Sequence, residues 1–229
     1  MNWRRLIPNS ISSASLIFGV LSIFKTIEGD FFLAPVFIVI AVIFDSMDGR
    51  AARALGVGGG DFGKEMDSLC DMCSFGVAPA IMIYMYGLQE LGLAGQVIAA
   101  LFAVGGCLRL ARFNIDTRQT TSFIGLPIPS EAIFWIGFTA WCIEGGMPVN
   151  WLTALIVLAM SLLMVSNIGM FSLKFKNFHL AENINRYVIL AAAVALVLWL
   201  GIPGLMWTIL LYLVLSMINI RVSYTESGD

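Results

Sequence analysis

The segment "LAPVFIVIAVIFDSMDGRAAR", residues 33–53, is apolar over its first twelve positions and then turns polar. A run of roughly 20 mostly apolar residues is long enough for an α-helix to cross the hydrocarbon core of a bilayer. The polar part contains two aspartates, a glycine, a serine and two arginines at the point where such a helix would leave the membrane. The segment therefore predicts a membrane helix whose polar end carries candidate functional residues.

The composition of the whole chain is that of an integral membrane protein. Of 229 residues, 59% are hydrophobic and 12% are charged, and the mean hydropathy is +0.89. A soluble domain of this size does not need so much apolar surface. The net charge of −2 gives no indication of a nucleic-acid partner. The basic and apolar N-terminus lacks a small-x-small cleavage site, so we interpret it as a retained first helix.

Eight apolar runs approach the length of a membrane span. They cover about 8–24, 33–55, 66–88, 94–113, 130–145, 150–168, 186–201 and 204–220. The polar segments between them are short and no soluble domain is visible. We therefore expect an all-α fold, a polytopic helical bundle of about eight transmembrane helices that forms a single domain over residues 1–229.

The basic residues predict the orientation of this bundle, because Lys and Arg accumulate in cytoplasmic loops. With eight spans and a cytoplasmic N-terminus, 12 of the 13 basic residues fall on one side and Lys25 alone falls on the other. Both termini are therefore expected in the cytoplasm.

The cysteines and the single histidine do not suggest a metal or redox site. Cys70 and Cys73 form one C-x-x-C, but no second such pair exists and His179 is more than a hundred residues away. Structural zinc sites need four such ligands. Packing of small side chains between helices is the favoured interpretation.

Four aspartates are spaced so that they can meet. Asp45 and Asp48, at i and i+3, share one face of the second helix, and Asp67 and Asp71, at i and i+4, share one face of the third. The connection "ALGVGGGDFG", residues 54–63, is short enough to make the two helices antiparallel neighbours. The two carboxylate pairs can therefore face each other.

Aspartates gathered at membrane depth repel one another and lose hydration, so a cation is expected among them. An all-oxygen ligand set favours Mg²⁺ or Mn²⁺, and two ions about 3.5–4 Å apart would suit a phosphate-bearing substrate. The alternative is that these are solvated charges at helix ends.

The residues around the aspartates fit a phosphate-bearing ligand. Gly49 can let a ligand approach the backbone, although close helix packing is an alternative. Arg53, one turn beyond, can bind phosphate oxygens bidentately. The glycines at 58, 59, 60 and 63 make the connection permissive for nucleotide contact.

From Asp45 to Asp71 the sequence reads D-x2-D-G-x2-A-R-x9-G-x3-D-x3-D. This closely resembles the signature of the CDP-alcohol phosphotransferase family, D-x2-D-G-x2-A-R-x8-G-x3-D-x3-D, with one additional residue in the glycine-rich connection. Four further segments are similar to the phosphatidylserine synthase branch of that family: "DSLCDMCSFGVAPA" (67–80), "CLRLARFN" (107–114), "FIGLPIP" (123–129) and "LLMVSN" (162–167).

The resemblance implies an enzyme that transfers a phosphatidyl group from CDP-diacylglycerol to L-serine, giving phosphatidylserine and CMP. It places the catalytic core at about 8–170 and adds the helices at about 186–220. It also implies a homodimer. We expect a bacterial inner membrane, with the active site at the cytoplasmic face that the basic residues indicate.

The resemblance further implies roles for individual residues. Asp71 is the catalytic base and also a metal ligand. The remaining metal ligands are Asp45, Asp48 and Asp67, and the residues that contact CDP-diacylglycerol are Asn9, Gly49, Arg53 and Gly63.

Two arginines are candidates for binding the acceptor, serine, on the basis of its chemistry. Serine carries a carboxylate, so a cation is expected there, and Arg109 and Arg112 lie at i and i+3 near the cytoplasmic end of the fourth run. The alternative is that both arginines reach for the membrane interface. Within the family, glycerol phosphate or inositol could replace serine as the acceptor.

Two other protein classes also carry carboxylates within the membrane. In a cation transporter such residues line the ion path, but Arg53 would place a fixed positive charge in it. An intramembrane prenyltransferase binds a diphosphate through paired aspartates, but its motifs usually lie far apart, whereas Asp45 and Asp67 are 22 residues apart.

Overall fold

A computed structural model of the chain describes residues 3–57, 61–116, 122–145, 150–171 and 179–226. The glycines at 58, 59 and 60 and several of the basic residues used to predict orientation lie outside these ranges.

Eight helices make up nearly all of the described chain. They are α1 (Trp3–Ile27), α2 (Leu33–Ala54), α3 (residues 61–91), α4 (Leu93–Ile115), α5 (Ile128–Gly145), α6 (Trp151–Val165), α7 (Leu180–Leu200) and α8 (Gly204–Glu226). The all-α class and the count of eight helices are confirmed for these residues.

Four of the described helices contain segments that are long and apolar enough to cross a membrane: Trp3–Ile27, Phe62–Leu91, Leu93–Ile115 and Asn183–Leu200. Shorter apolar helices cover Trp151–Val165 and Gly204–Ile218. The chain is therefore an integral membrane protein. That all eight helices span the bilayer, with both termini in the cytoplasm, stays a prediction, because α2 and α5 carry acidic side chains within their length.

Helix α3 is continuous but changes its hydrogen-bonding pattern along its length. The α-helical part Asp61–Asp71 is followed by a π-helical segment, Met72–Val77, and a second π-helical segment covers Tyr84–Leu88. A π-helical turn accommodates one extra residue and often occurs at a functional site. The first of these segments begins immediately after Asp71.

Helix α1 packs against its neighbours through a stripe of small residues. Gly19 lies so close to α3 that a Cβ atom there would be 2.5 Å from Ser74 Oγ. Hydroxyl groups fasten the contact, because Ser15 Oγ donates to Ala41 O in α2 at 3.1 Å and Ser74 Oγ donates to Ser15 O at 3.0 Å. Small residues let helix backbones approach closely in a membrane protein. The stripe therefore fixes α1 against α2 and the first π-helical segment.

Two short antiparallel strands were not predicted. Strand β1 (Ser122–Ile124) pairs with β2 (Gly169–Phe171), with Phe123 opposite Met170. The pair joins the α4–α5 connection to the α6–α7 connection. Lys64, near the start of α3, donates to Asn114 O near the end of α4. These contacts place the aspartate-bearing ends of the helices and the strand pair at one end of the bundle.

The hydrophobic core lies deeper, with most of its buried side chains on α3, α4, α5, α6 and α8. Fully buried aromatic side chains from α4 and α5 meet there, with Phe102 and Trp135 at 6.2 Å in an edge-on arrangement. Gly106 of α4 allows close packing, since a Cβ atom there would be 2.6 Å from Ile128 Cδ1. This packed core adjoins the polar end of the bundle and holds its helices in place.

Candidate active site

Helices α2 and α3 bring three of the four predicted aspartates together. Carboxylate oxygens of Asp45, Asp67 and Asp71 all lie within 4.8 Å of one another. Asp67 and Asp71 share a face because they are four residues apart on α3. The connection from α2 sets Asp45 opposite that face, as the spacing had suggested.

Asp48 stands beside this group and has a different partner. Its Oδ2 accepts a hydrogen bond of 2.5 Å from Ser12 Oγ of α1. Both residues are buried, with 7% of Asp48 and 5% of Ser12 exposed. The hydroxyl of Ser12 therefore sets the direction in which this carboxylate points.

The three clustered carboxylates fit a hard divalent cation. Carboxylate oxygens are the ligands that Mg²⁺ and Mn²⁺ prefer. Like charges held this close repel one another unless a cation or protons neutralise them. Asp45, Asp67 and Asp71 could hold such an ion, and Asp48 is near enough to interact electrostatically with Asp71.

A cavity of about 640 Å³ adjoins the aspartates between α1, α2 and α3. Three of the residues predicted to contact CDP-diacylglycerol line it, namely Asn9, Gly49 and Gly63, together with Asp48 and Asp67. Arg53 does not line it. Arg53 is exposed, and its Nη1 lies 3.5 Å from the point that a Cβ atom on Gly49 would occupy. The guanidinium is therefore close to the cavity mouth.

Four further polar or aromatic side chains in the cavity wall were missed from the sequence: Arg5, Ser12, Phe62 and Lys64. Arg5 and Ser12 follow the helical spacing of Asn9, at i−4 and i+3, so they share its face of α1. That periodicity was the available signal. Arg5 and Lys64 add positive charge where a diphosphate would lie.

Arg109 and Arg112 point to different surroundings. The Arg109 side chain is 5% exposed, and its Cζ lies 5.0 Å from the Phe113 ring and 5.8 Å from the Phe123 ring. No hydrogen-bond acceptor for its Nε is found among the described residues. Asp71 is close enough to interact with this guanidinium electrostatically. Arg109 is therefore a buried cation near Asp71 whose Nε–H has no acceptor among the described residues.

Arg112 is already engaged elsewhere. Its Nη1 donates to Val165 O at 3.3 Å and its Nη2 donates to Asn167 Oδ1. These bonds fasten the end of α4 to the end of α6. The structure thus separates the two arginines that the spacing had placed on one face.

The cysteines are all free thiols. Cys70 and Cys142 are buried, Cys73 is half-buried and Cys107 is exposed. The buried positions agree with the interpretation as packing residues.

Comparisons with known proteins find a matching family and relatives over most of the chain. The model of the CDP-alcohol phosphatidyltransferase family matches residues 5–217. A CDP-diacylglycerol–serine O-phosphatidyltransferase of Helicobacter pylori is 33% identical over 226 residues, which cover 93% of this chain and 90% of that protein. A protein of the same description from Bacillus subtilis is 35% identical over 182 residues, or 78% of this chain and 95% of the relative. An archaetidylserine synthase of Methanothermobacter thermautotrophicus is 39% identical over 163 residues, covering 71% and 68% of the two chains.

Proposed function

The chain belongs to the CDP-alcohol phosphatidyltransferase family, and we propose that it transfers a phosphatidyl group from CDP-diacylglycerol to L-serine, releasing CMP. The observation that carries this function is the group of three aspartates beside the cavity. Two relatives that this chain matches over most of their length are described as CDP-diacylglycerol–serine O-phosphatidyltransferases. The chain is thus a transferase of phospholipid biosynthesis.

The aspartates are the proposed metal site. Asp45, Asp67 and Asp71 would hold Mg²⁺ or Mn²⁺, and Asp48 would complete a site for two ions. Bound divalent ions would neutralise the diphosphate of the substrate and the charge on the departing CMP. This assignment is supported by the all-oxygen ligand set and by the short distances between the three carboxylates.

The cavity is the proposed place of the CDP group. Asn9 and Gly63 lie next to each other in its wall, since Asn9 Oδ1 lies 3.5 Å from the point that a Cβ atom on Gly63 would occupy. Gly49 leaves room for the diphosphate beside Asp48, and Arg53 can bind phosphate oxygens from the cavity mouth. Arg5 and Lys64 contribute further positive charge.

Asp71 is the proposed general base. It would accept the proton of the serine hydroxyl as the oxygen forms a bond to the phosphorus that carries diacylglycerol. The bond from that phosphorus to the CMP oxygen breaks, and CMP leaves with the electron pair. The position of Asp71 supports this role, because it lies at the boundary between the aspartate group and Arg109.

Arg109 is the proposed ligand of the serine carboxylate. Its unused Nε and its closeness to Asp71 support it. Arg112, the second sequence-based candidate, would act through the α4–α6 contact, since its donors already bind Val165 and Asn167.

The test is a reaction of the purified protein with CDP-diacylglycerol, Mn²⁺ and separate acceptors: L-serine, glycerol 3-phosphate and inositol. CMP release and the lipid product are measured. We expect CMP and phosphatidylserine with L-serine. Product formation only with another acceptor would assign the chain to another branch of the family.

Three further properties belong to this proposal. We propose one domain over residues 1–229, with its catalytic core at about 8–170, a homodimer, and a bacterial inner membrane with the active site at the cytoplasmic face. The basic residues around the cavity support that orientation. Light scattering of the detergent-solubilised protein would measure the oligomeric state.

A further inference from the structure

The strand pair β1–β2 lies beside the Arg109 guanidinium, and we call this pair the wall of the space that holds it. The Phe123 ring of β1 lies 5.8 Å from the Arg109 Cζ and 6.0 Å from the Phe113 ring. Aromatic faces attract a guanidinium without occupying its N–H groups. The two rings therefore hold Arg109 in place and leave its Nε–H, which has no acceptor among the described residues, available for an anion.

Helix α8 fastens this wall from the other side. Tyr212 Oη donates to Phe171 O of β2 at 2.9 Å, and the two rings are 5.1 Å apart. Tyr212 is 2% exposed. A series of contacts thus runs from Tyr212 through β2 and β1 to the Arg109 guanidinium.

The wall needs such an anchor because each strand has three residues. A two-stranded ribbon is marginally stable at best on its own, and here it is shorter than usual. Without the Tyr212 bond, β2 would be held by the strand ladder and by side-chain packing. The position of Phe123, and with it that of Arg109, would then be less well defined.

A buried guanidinium without an acceptor on its Nε is costly, whereas a carboxylate can accept from two guanidinium N–H groups at once. We propose that α8 takes part in acceptor recognition: Tyr212 is a positioning residue that acts through β2 and Phe123 and holds Arg109 where it binds the carboxylate of the amino-acid acceptor. This inference rests on the proposed transfer to serine. It gives the last helix a role in selectivity rather than in membrane anchoring alone.

Steady-state kinetics of the full-length protein with Tyr212→Phe tests the inference. Removing one hydroxyl hydrogen bond is expected to raise the KM for L-serine about five- to tenfold. The KM for CDP-diacylglycerol and kcat are expected to stay within about twofold, since the aspartates and the cavity are untouched. Phe123→Leu, which removes the ring beside Arg109, is expected to produce the same selective rise.

Tyr86→Phe is the matched control, because Tyr86 is a half-buried tyrosine whose ring packs against Phe31 at 5.5 Å, away from Arg109. It should change neither KM. An unchanged serine KM in Tyr212→Phe, an equal rise in both KM values, or the same shift in Tyr86→Phe would overturn the inference. If the unmodified protein formed no phosphatidylserine, the proposed function itself would fail, and the two failures are thereby distinguished.

Discussion

Substitution of Ser12 by alanine removes the hydrogen bond that ties α1 to Asp48. The bond is 2.5 Å long and joins two buried groups. A hydrogen bond to a charged group contributes about 1.5–3 kcal/mol, and about 1.4 kcal/mol is a factor of ten. Asp48 also lines the cavity, so water can replace part of the lost bond. The lower end, about tenfold, is therefore the expected loss in substrate or metal affinity.

The assay measures CMP release while CDP-diacylglycerol and Mn²⁺ are varied separately. Ser12→Ala should raise the concentration of Mn²⁺ or CDP-diacylglycerol needed for half-maximal rate about tenfold, while the serine KM stays constant. Ser12→Thr keeps the hydroxyl and should restore most of the activity.

Ser13→Ala is the matched control for this variant. Ser13 is the adjacent residue, and its Oγ donates to Asn9 O at 2.8 Å within α1. If Ser12→Ala behaved as Ser13→Ala does, or if it changed the serine KM alone, the reasoning that Ser12 orients Asp48 would be refuted.

Three further predictions concern the aspartates and the glycines. Asp71→Asn should abolish transfer while CDP-diacylglycerol binding, measured by equilibrium binding, is largely retained; near-normal turnover would contradict the role as base. Exhaustive chelation should abolish activity, and Mg²⁺ or Mn²⁺ should restore it; full activity after chelation would exclude a metal role. Gly19→Ala should destabilise the protein by about 1–3 kcal/mol, because the new methyl group would lie 2.7 Å from Ser74 Cα. Gly49→Ala, where the nearest atom is Arg53 Nη1 at 3.5 Å, should leave the melting temperature unchanged and raise the KM for CDP-diacylglycerol; equal melting temperatures in the two variants would contradict the packing argument.

The aspartate group could be placed from the sequence because little freedom separates its members. Residues three or four apart on a helix must share a face, and a short connection forces two helices to be neighbours. Asp45, Asp67 and Asp71 meet for these two reasons. The hydrogen bond from Ser12 to Asp48 spans 36 residues between different helices, and no local pattern specifies such a contact.

The arginines show where helical spacing stops being informative. Arg109 and Arg112 share a face of α4 by their numbering, yet one guanidinium stacks on aromatic rings and the other binds the end of α6. A long side chain can carry its charged group several ångströms from its Cα atom. The spacing therefore locates the start of the side chain and leaves its end to tertiary contacts.

The strand pair and the π-helical segment were missed for a different reason. Strands of three residues are too short to show an alternating pattern. The segment Met72–Val77 has the same apolar composition as an ordinary helix. Both features depend on how the surrounding helices pack, and both lie next to residues proposed to react or to bind substrate.

Asp71 connects two parts of the site that come from different parts of the chain. Helices α1, α2 and α3 build the cavity and the aspartate group, whereas α4, the strand pair and α8 surround Arg109. Asp71 belongs to the first part and interacts electrostatically with Arg109 in the second. Phosphoryl transfer needs the entering and leaving oxygens roughly in line on opposite sides of the phosphorus. With the CDP group in the cavity and the serine carboxylate on Arg109, as proposed, the entering hydroxyl would lie near Asp71, and the CMP oxygen would leave on the far side of the phosphorus. Under this proposal the donor and the acceptor bind to different parts of the fold, so that variants around Arg109 should change the serine KM and variants around Ser12 should change the CDP-diacylglycerol KM.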